Sequence, residues 1–322
     1  MTTRKRGQYG ADSDLVDYIL GITFEIWEQG QVELINEYYS DDCQIYALEA
    51  TTIGAAAVIE GTRATLTAFP DRLLLAENVV WSGDRERGFY SSHRLTSPMT
   101  NRGDTLFGPA TGKTVRIMNI ADCVVEEGVI TGEWLVRDNL ALIQQLGFDE
   151  KASAQTMATQ MTETHIDWLG AEATSLLQGA ASAAAVGAHC SASQLDFVQR
   201  WLTDVWTSST NDGGDHYAPY ATMYRAPTRY VAGREEIVAH YHDWKSAAVR
   251  TAAAVDHVIA QPMGHDGTDF AVRWRAAFEP VVGNRPVYIL GVSHLRCSNG
   301  RIMAEWTVFD ELAVSAQGLL TG

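Results

Sequence analysis

The sequence has few cysteines and none in a recognisable metal or disulfide pattern. Its four cysteines, Cys43, Cys123, Cys190 and Cys297, lie far apart, and no Cys-x-x-Cys motif occurs. Such spacing favours neither a zinc site nor a disulfide framework. We therefore expect reduced thiols, which are typical of a cytoplasmic protein.

Basic residues are also scarce, and long apolar runs are absent. Lysine and arginine total 24 against 40 aspartates and glutamates, a formal net charge of −16. Binding to a phosphate backbone needs a basic face, so we expect no nucleic-acid partner. No stretch approaches the roughly 20 apolar residues that span a bilayer. The basic N-terminus "MTTRKRGQYG" is not followed by a run of signal-peptide type. We expect no membrane partner.

The length and composition are those of a chain with two globular domains. The 322 residues exceed a usual single domain. The apolar content of 46% and charged content of 20% are ordinary, so each half can build a core.

Internal similarity indicates that these domains are tandem copies. "EIWEQG" with "NEYYSDDC" resembles "DVWTSS" with "DHYAPYAT", which aligns Trp27 with Trp206 and Tyr38 with Tyr217. "IEGTRATLTAF" resembles "VAGREEIVAHY", and "GVITGEWLVRD" resembles "GRIMAEWTVFD". The second pair aligns Gly61 with Gly233. The third aligns Glu133 with Glu305 and Trp134 with Trp306. We predict domains at 12–150 and 191–317, joined by a helical, Ala-rich linker at 151–190.

Each copy has helical spacing first and strand alternation afterwards. The helical part closes with a third helix, predicted to begin after Gly61 or Gly233. Strands are then predicted at 78–97, 114–125 and 129–138 in the first copy, and at 255–260, 268–279, 286–297 and 301–310 in the second. Helices followed by an antiparallel meander indicate an α+β fold.

Two predicted hairpins place acidic groups together. With Glu127-Gly128 as a two-residue turn, Asp122 lies opposite Glu133; with Asn299-Gly300, His294 lies opposite Glu305. Opposed residues have Cβ atoms about 5 Å apart. Two close carboxylates raise one pKa and so create a proton donor or acceptor useful near neutral pH. The alternative is a solvated face with no chemistry.

The first copy resembles a known family through several elements: "FGPATGK" ahead of a strand, then "IADC", "GVITGEWLVRD" and the closing "QLG". These resemble the SnoaL-like polyketide cyclases of the NTF2-like superfamily. The resemblance implies two tandem cones, each a curved antiparallel sheet wrapped around about three helices. It also implies an aldol-type ring closure without metal or organic cofactor, in which an aspartate of the penultimate strand takes a proton. The matching residue is Asp122.

Further site residues are predicted around that aspartate. Glu133 would tune Asp122, and His93 and Arg94 in "SSHRLT" would polarise the substrate. Trp27, Tyr46, Tyr90 and Asn101 are candidates for the pocket wall. Asn101 stands where family members often have a histidine.

Several functions stay open at this point. The leading hypothesis is a cyclase, or a related lyase, isomerase or hydrolase, that does acid/base chemistry beside a carbonyl of a hydrophobic small molecule. The alternative is a non-catalytic binding or assembly module. A third hypothesis places the site in the second copy, around His294, Glu305 and Arg275. The copies are expected to pack as a pseudo-dimer, with a homodimer of such chains as a further possibility.

Overall fold

The computed structural model describes residues 15–208, 212–226, 229–246, 248–281 and 285–320. Its elements form two α+β units, each with helices and two strands first and a four-stranded antiparallel meander afterwards. We call residues 15–146 the first cone and residues 192–317 the second cone. The predicted fold class is confirmed.

The first cone starts with helix α1 (Leu15–Thr23), a π-helical turn (Phe24–Glu28), a 3₁₀ turn (Val32–Leu34) and helix α2 (Ile35–Tyr38). The remaining elements follow in chain order: β1 (Tyr39–Tyr46), β2 (Thr51–Ile53), α3 (Gly54–Ala68), β3 (Leu75–Asp84), β4 (Gly88–Thr100), β5 (Thr114–Glu126), β6 (Val129–Arg137) and α4 (Asn139–Leu146).

The segment predicted as a linker is more ordered than its composition suggests. It forms helices α5 (Glu150–Gln160) and α6 (Glu163–Leu177) and a short strand, β7 (Ala185–Val186). Asp149 and Thr162 cap the two helices by accepting hydrogen bonds from backbone N–H groups. Strand β7 pairs with the second sheet, so part of this segment completes the second unit.

The second cone repeats the order of the first. Its elements are α7 (Ala192–Trp206), a 3₁₀ turn (Gly214–His216), β8 (Tyr217–Ala226), β9 (Arg229–Ala232), α8 (Arg234–Ser246), β10 (Ala248–Met263), β11 (Gly267–Pro280), β12 (Val287–Ser298), β13 (Arg301–Phe309) and α9 (Glu311–Gln317). Ser191 and Gln194 form a reciprocal capping box at the start of α7.

The two sheets have the same strand order. The first runs β2-β1-β6-β5-β4-β3, and the second, read from its far end, runs β9-β8-β13-β12-β11-β10-β7. In both sheets the first long strand is parallel to the last one, as β1 is to β6 and β8 is to β13. These matching topologies agree with a duplicated fold.

The structure corrects two of the predicted equivalences. Helix α3 begins at Gly54, whose φ is +84°, and Gly233, with φ +92°, precedes α8. Gly54, and not Gly61, is therefore the counterpart of Gly233. Tyr39 pairs with Ile130 as Tyr217 pairs with Ile302, so Tyr39 replaces Tyr38 as the counterpart of Tyr217.

The predicted hairpin turns are present, but the predicted cross-strand pairs are wrong. Glu126 lies opposite Val129, as expected, whereas Val124 lies opposite Gly132, which leaves Thr131 as an extra residue. Beyond this bulge Asp122 pairs with Trp134, and Cys123 pairs with Glu133. A one-residue shift sends a side chain to the other face of the sheet, so Asp122 and Glu133 point to opposite faces.

The same bulge occurs in the second cone. Ser298 lies opposite Arg301, but Arg296 lies opposite Ala304, which leaves Met303 unpaired. His294 therefore pairs with Trp306, and Glu305 pairs with Leu295. The predicted pair of His294 and Glu305 is also wrong.

The two cones pack against each other through the outer faces of their sheets. Val80 of β3, Ile259 of β10 and Ala271 of β11 form a buried apolar cluster there, with Tyr90 packed against it. We call this contact the interdomain face. It buries one side of each sheet and leaves the other side for the interior of its own cone.

Candidate functional site

The first cone contains a cavity of about 540 Å³. Its wall is mostly apolar and is built by side chains from α1, α3, α4 and the inner face of the sheet, among them Ile19, Ile22, Val58, Phe69, Leu95, Ile117 and Leu142. Trp27, predicted as a wall residue, also lines it. A concave, largely apolar cavity with a few polar groups is the usual form of a small-molecule site.

Three polar side chains stand on adjacent strands of this inner face. His93 on β4 lies opposite Ala121 on β5, and Asn119 lies two residues before Ala121 on the same strand. Glu133 on β6 lies opposite Cys123. Side chains alternate between the two faces along each strand, and the strand pairing places these three side chains on the inner face. Each of them lines the cavity.

His93 is a buried imidazole with an unused hydrogen-bonding atom. The side chain is 4% exposed, and its Nε2 has no hydrogen-bond partner within the described part of the chain. Burial lowers the pKa of His93 to about 4. The ring is therefore neutral at neutral pH and keeps one nitrogen lone pair to accept a proton.

Asn119 is a second buried polar group with spare capacity. Its Nδ2 donates to Ser97 Oγ at 2.8 Å, whereas its Oδ1 has no partner among the residues described. Buried polar atoms are nearly always hydrogen-bonded, so two open atoms on one cavity wall call for an explanation. A bound ligand or water supplies one.

Glu133 is buried beside a tyrosine. It accepts a hydrogen bond from Tyr39 Oη at 2.9 Å, and burial raises the pKa of its carboxyl group. In the second cone Glu305 accepts the corresponding bond from Tyr217 at 2.6 Å. Because the pair occurs in both cones, it belongs to the fold as well as to the cavity.

One end of the cavity is cationic. Arg72, Arg137 and Glu49 all line it, and Arg137 Nη1 bonds Glu49 Oε1 at 3.0 Å. Burial, with a smaller contribution from the charge of Arg137, lowers the pKa of Arg72 to about 9. Arg72 therefore stays charged at neutral pH.

The loop between β4 and β5 closes part of the cavity. Asp104, Thr105, Leu106 and Phe107 line the cavity from this loop, residues 101–113. Asn101 holds the loop in shape: its Nδ2 donates to Gly103 O at 2.7 Å, and its Oδ1 accepts from Thr111 N at 2.8 Å. Asn101 is not among the lining residues, so its predicted place on the pocket wall is not supported.

Asp122, the predicted acid/base, lies on the interdomain face. Its Oδ2 bonds Arg273 Nη1 at 2.5 Å, and His257 Nδ1 of the second cone is 3.9 Å away. Burial opposes ionisation of Asp122, but the charge of Arg273 and the contact with His257 outweigh it, so the pKa is lowered. The carboxylate is a charged partner in an ion pair and lies on the face of the sheet opposite to the cavity, although its neighbours Ala121 and Cys123 line the cavity.

Three other predicted residues of the first cone share that face. The Arg94 guanidinium stacks 3.8 Å from the ring centroid of Trp306 and bonds Glu77 at 3.1 Å. Tyr90 packs on His257 with ring centroids 4.3 Å apart. Tyr46 stacks on Trp134 at 5.3 Å. The alternation along each strand sends these side chains away from the cavity, contrary to their predicted roles.

The second-cone candidates are not brought together. His294 faces the interdomain contact, where its Nε2 lies 3.0 Å from Ser92 Oγ. Arg275 bonds Asp256 at 2.6 Å and Glu172 of α6 at 2.5 Å. Glu305 points into the second cone, where Tyr217, Tyr241 and Thr307 donate hydrogen bonds to it.

The interior of the second cone is filled by large aromatic side chains. Its fully buried residues include Trp201, Trp274, Tyr217 and Tyr241. The Trp274 ring packs on Gly291, where an added Cβ would meet ring atoms at 2.2 Å. Gly291 occupies the sheet position that Asn119 has in the first cone. The second cone therefore has a glycine, which leaves room for the Trp274 ring, where the first cone has a polar side chain.

Sequence reasoning missed Asn119 and Arg72. Asn119 interrupts the apolar run "IMNIA", a detectable signal, but its face depends on the bulge at Thr131. Arg72 lies between α3 and β3, where no periodicity fixes the direction of a side chain. Only the closed cavity identifies it.

Neither a metal cluster nor a membrane span is found in the described ranges. No group of three His, Cys, Asp or Glu side chains there could hold a metal ion. No helix within those ranges combines the length and apolar character needed to cross a bilayer.

Comparison with known proteins identifies the first cone. Residues 19–146 match the model of the SnoaL-like polyketide cyclase family. The first cone is therefore the part of the chain that is similar to this family. A second cone of the same strand order follows it in the chain.

Solved structures similar to part of the chain have low identity. IdmH from Streptomyces antibioticus is 21% identical, with 41% of this chain and 97% of that one covered and a TM-score of 0.36. TsrD from Streptomyces laurentii is 20% identical over 41% and 94%, with a TM-score of 0.37. A SnoaL-like polyketide cyclase from Agrobacterium tumefaciens is 18% identical over 41% and 98%, with a TM-score of 0.35. A search of curated proteins found no match.

Proposed function

We propose that the first cone binds a hydrophobic carbonyl compound and transfers a proton at the carbon beside the carbonyl. The reaction class is an aldol-type cyclisation, or a related isomerisation or cleavage, without a cofactor. One observation carries the proposal: His93 Nε2 and Asn119 Oδ1 are buried, lack partners within the described chain, and belong to residues lining one apolar cavity. The family match of this cone supports it.

His93 is the proposed proton acceptor. A neutral imidazole with a free lone pair takes the proton from the carbon, which leaves an enolate. Burial makes this imidazole a weak base. It therefore suits a C–H made acidic by two flanking carbonyls, the arrangement found in polyketides. After the new C–C bond forms, the imidazolium returns the proton to the alkoxide oxygen.

Glu133 and Tyr39 are the proposed stabilisers of the enolate oxygen. Burial raises the pKa of Glu133, and its protonated form can donate a hydrogen bond to a developing oxyanion. Tyr39 keeps that carboxyl group in place. Asn119 Oδ1 accepts a hydrogen bond from a ligand hydroxyl and so orients the substrate.

This proposal assigns no chemistry to Asp122. Its carboxylate is engaged by Arg273 on the interdomain face, and its charged form is stabilised there. Arg94 is likewise held by Glu77 and Trp306. Both residues stabilise the contact between the cones.

Solvent-deuterium exchange into a panel of bicyclic ketones and polyketide-like esters tests the proposal. His93→Val introduces the residue at the same sheet position of the second cone, Val272, and keeps the site packed. We expect it to slow exchange by about 100-fold or more, the usual contribution of a general base. Asp122→Asn, corrected for the folded fraction, should exchange at the wild-type rate.

Equal exchange in wild type and His93→Val would refute the role of His93. If panel compounds raise the Tm of the wild type but none exchanges, the cone acts as a binding module. That result would favour the non-catalytic alternative.

A further inference from the structure

We infer that the ligand of the first cone carries a carboxylate, which Arg72 binds at the cationic end of the cavity. The inference rests on the proposed function of the same cavity and specifies its substrate class as apolar carbonyl acids. It requires a cation at the cavity that has no ion-pair partner in the described chain, and a shape that suits one anionic group.

Arg72 is the free cation. No hydrogen bond or ion pair links its side chain to another part of the described chain, although it lines the cavity. Arg72 is half-buried at a mostly apolar wall, and a partly desolvated guanidinium is stabilised by an acidic partner. In a chain with a formal net charge of −16, carboxylates are abundant, which makes an unpaired arginine here unusual.

The nearby carboxylates are already engaged. Glu49 is paired with Arg137 at 3.0 Å. Asp71, the neighbour of Arg72, accepts a hydrogen bond from Thr100 N at 2.7 Å. Asp104 accepts one from Ala110 N at 3.0 Å. Arg72 and Arg137 therefore line the cavity with two carboxylates, Glu49 and Asp104, and within the described chain neither carboxylate forms an ion pair with Arg72.

The second cone provides an internal comparison. When the two sheets are aligned by their strand pairing, Arg72 of the first cone corresponds to Thr251 of the second cone. Thr251 lies in β10 and packs against the aromatic interior of that cone. In the first cone the corresponding residues lie before the start of β3, and the Arg72 side chain lines the cavity. The second cone therefore has a neutral threonine where the first cone has Arg72.

A carboxylate fits better than a phosphate. The planar guanidinium fork matches the two oxygens of a carboxylate, whereas a doubly charged phosphate needs further cations. Arg137 is neutralised by Glu49, and the rest of the wall is mainly apolar. One free fork at the end of an apolar cavity selects a monoanion with an apolar body.

Calorimetric binding of 4-oxo-4-phenylbutanoate and of its methyl ester tests the inference. The two compounds share the aryl ketone and differ in the charge. We expect the wild type to bind the acid at least about tenfold more tightly than the ester, as a charge-assisted hydrogen bond implies. Arg72→Thr should remove this preference by weakening only the acid, and Arg102→Thr, an exposed arginine of the same cone, should keep it.

No advantage for the acid in the wild type, including a result in which neither compound binds, overturns the inference. So does an equal loss of both compounds in Arg72→Thr. The proposed catalysis can fail separately. Acid-selective binding without deuterium exchange would keep the role of Arg72 and refute that of His93.

Discussion

The two cones share strand order and register, yet one is hollow and the other is filled. At matching sheet positions His93 corresponds to Val272, and Asn119 corresponds to Gly291. Leu95 corresponds to Trp274, whose ring occupies the space that the first cone leaves open. Features common to both cones, such as the buried Glu–Tyr pair, are explained by the fold, and features of the hollow cone alone point to function.

A difference in loop length adds to this contrast. The connection between β4 and β5 spans residues 101–113, whereas β11 and β12 are joined by residues 281–286, seven fewer. The longer loop contributes four residues to the cavity wall. The first cone therefore has both an open interior and a cover for it.

The interdomain face, unlike the interiors of the cones, is nearly symmetric. Equivalent residues of the two cones make equivalent contacts there, with one exception. Arg94 stacks on Trp306 as Arg273 stacks on Trp134. Asp122 pairs with Arg273, but its counterpart His294 faces Arg94 as a neutral imidazole, since burial lowers its pKa well below the usual value. Arg273 thus pairs with an aspartate of the other cone, whereas the equivalent Arg94 pairs with Glu77 of its own cone.

The largest expected effect tests the filled interior. Trp274→Ala should lower the free energy of unfolding by about 4 kcal/mol, because it leaves a large void. Leu95→Ala at the matching position should cost about 2 kcal/mol, because its side chain already borders a cavity. Urea unfolding measures both. Equal losses would contradict the contrast between a filled and a hollow cone.

The asymmetric ion pair comes next. Asp122→Asn should cost about 3 kcal/mol, because it leaves the buried Arg273 charge without its partner. His294→Asn should cost only about 1 kcal/mol, the value of one neutral hydrogen bond. The same unfolding experiment compares them. A loss for His294→Asn as large as that for Asp122→Asn would refute the asymmetry.

The smallest expected effect is on the pH dependence of stability. A histidine whose folded pKa is depressed binds its proton more readily when unfolded. For His93 this stability is complete above about pH 6.5 and is lost as the pH falls toward about 4. In that window His93→Val should reduce the slope of unfolding free energy against pH by about 1 kcal/mol per pH unit.

Thermal or urea unfolding at several pH values between 4 and 7 gives these slopes. Comparison with the wild type isolates His93, because His294 and the buried carboxyl groups are unchanged in the variant. Identical slopes would mean that His93 is not buried in a neutral state.

Local sequence patterns predicted the meander and the hairpin turns of each cone, but not the two strands before its third helix, and they joined β3 and β4 into one strand. Alternation predicted the long strands of both sheets, and the Glu127-Gly128 and Asn299-Gly300 turns form where their φ preferences require. The pairing near each turn is also as expected. The error begins at Thr131 and Met303, because a bulge inserts one residue without any sequence signal of its own.

These one-residue shifts explain the two wrong cross-strand pairs. They moved Asp122 away from Glu133 and His294 away from Glu305. Neither Tyr90 nor Arg94 could be assigned to a face without knowing that the outer side of the sheet is buried by a second cone. The homodimer and the precise domain boundaries stay predictions.

By itself the sequence determined the α+β class, the two copies, the turns and the family resemblance, because these depend on local spacing and residue type. The tertiary structure decided which face of each strand looks inward and which cone is hollow. It also showed which polar atoms lack a partner. Those properties depend on register and on the volume of side chains that are distant in the chain, and no local pattern contains them.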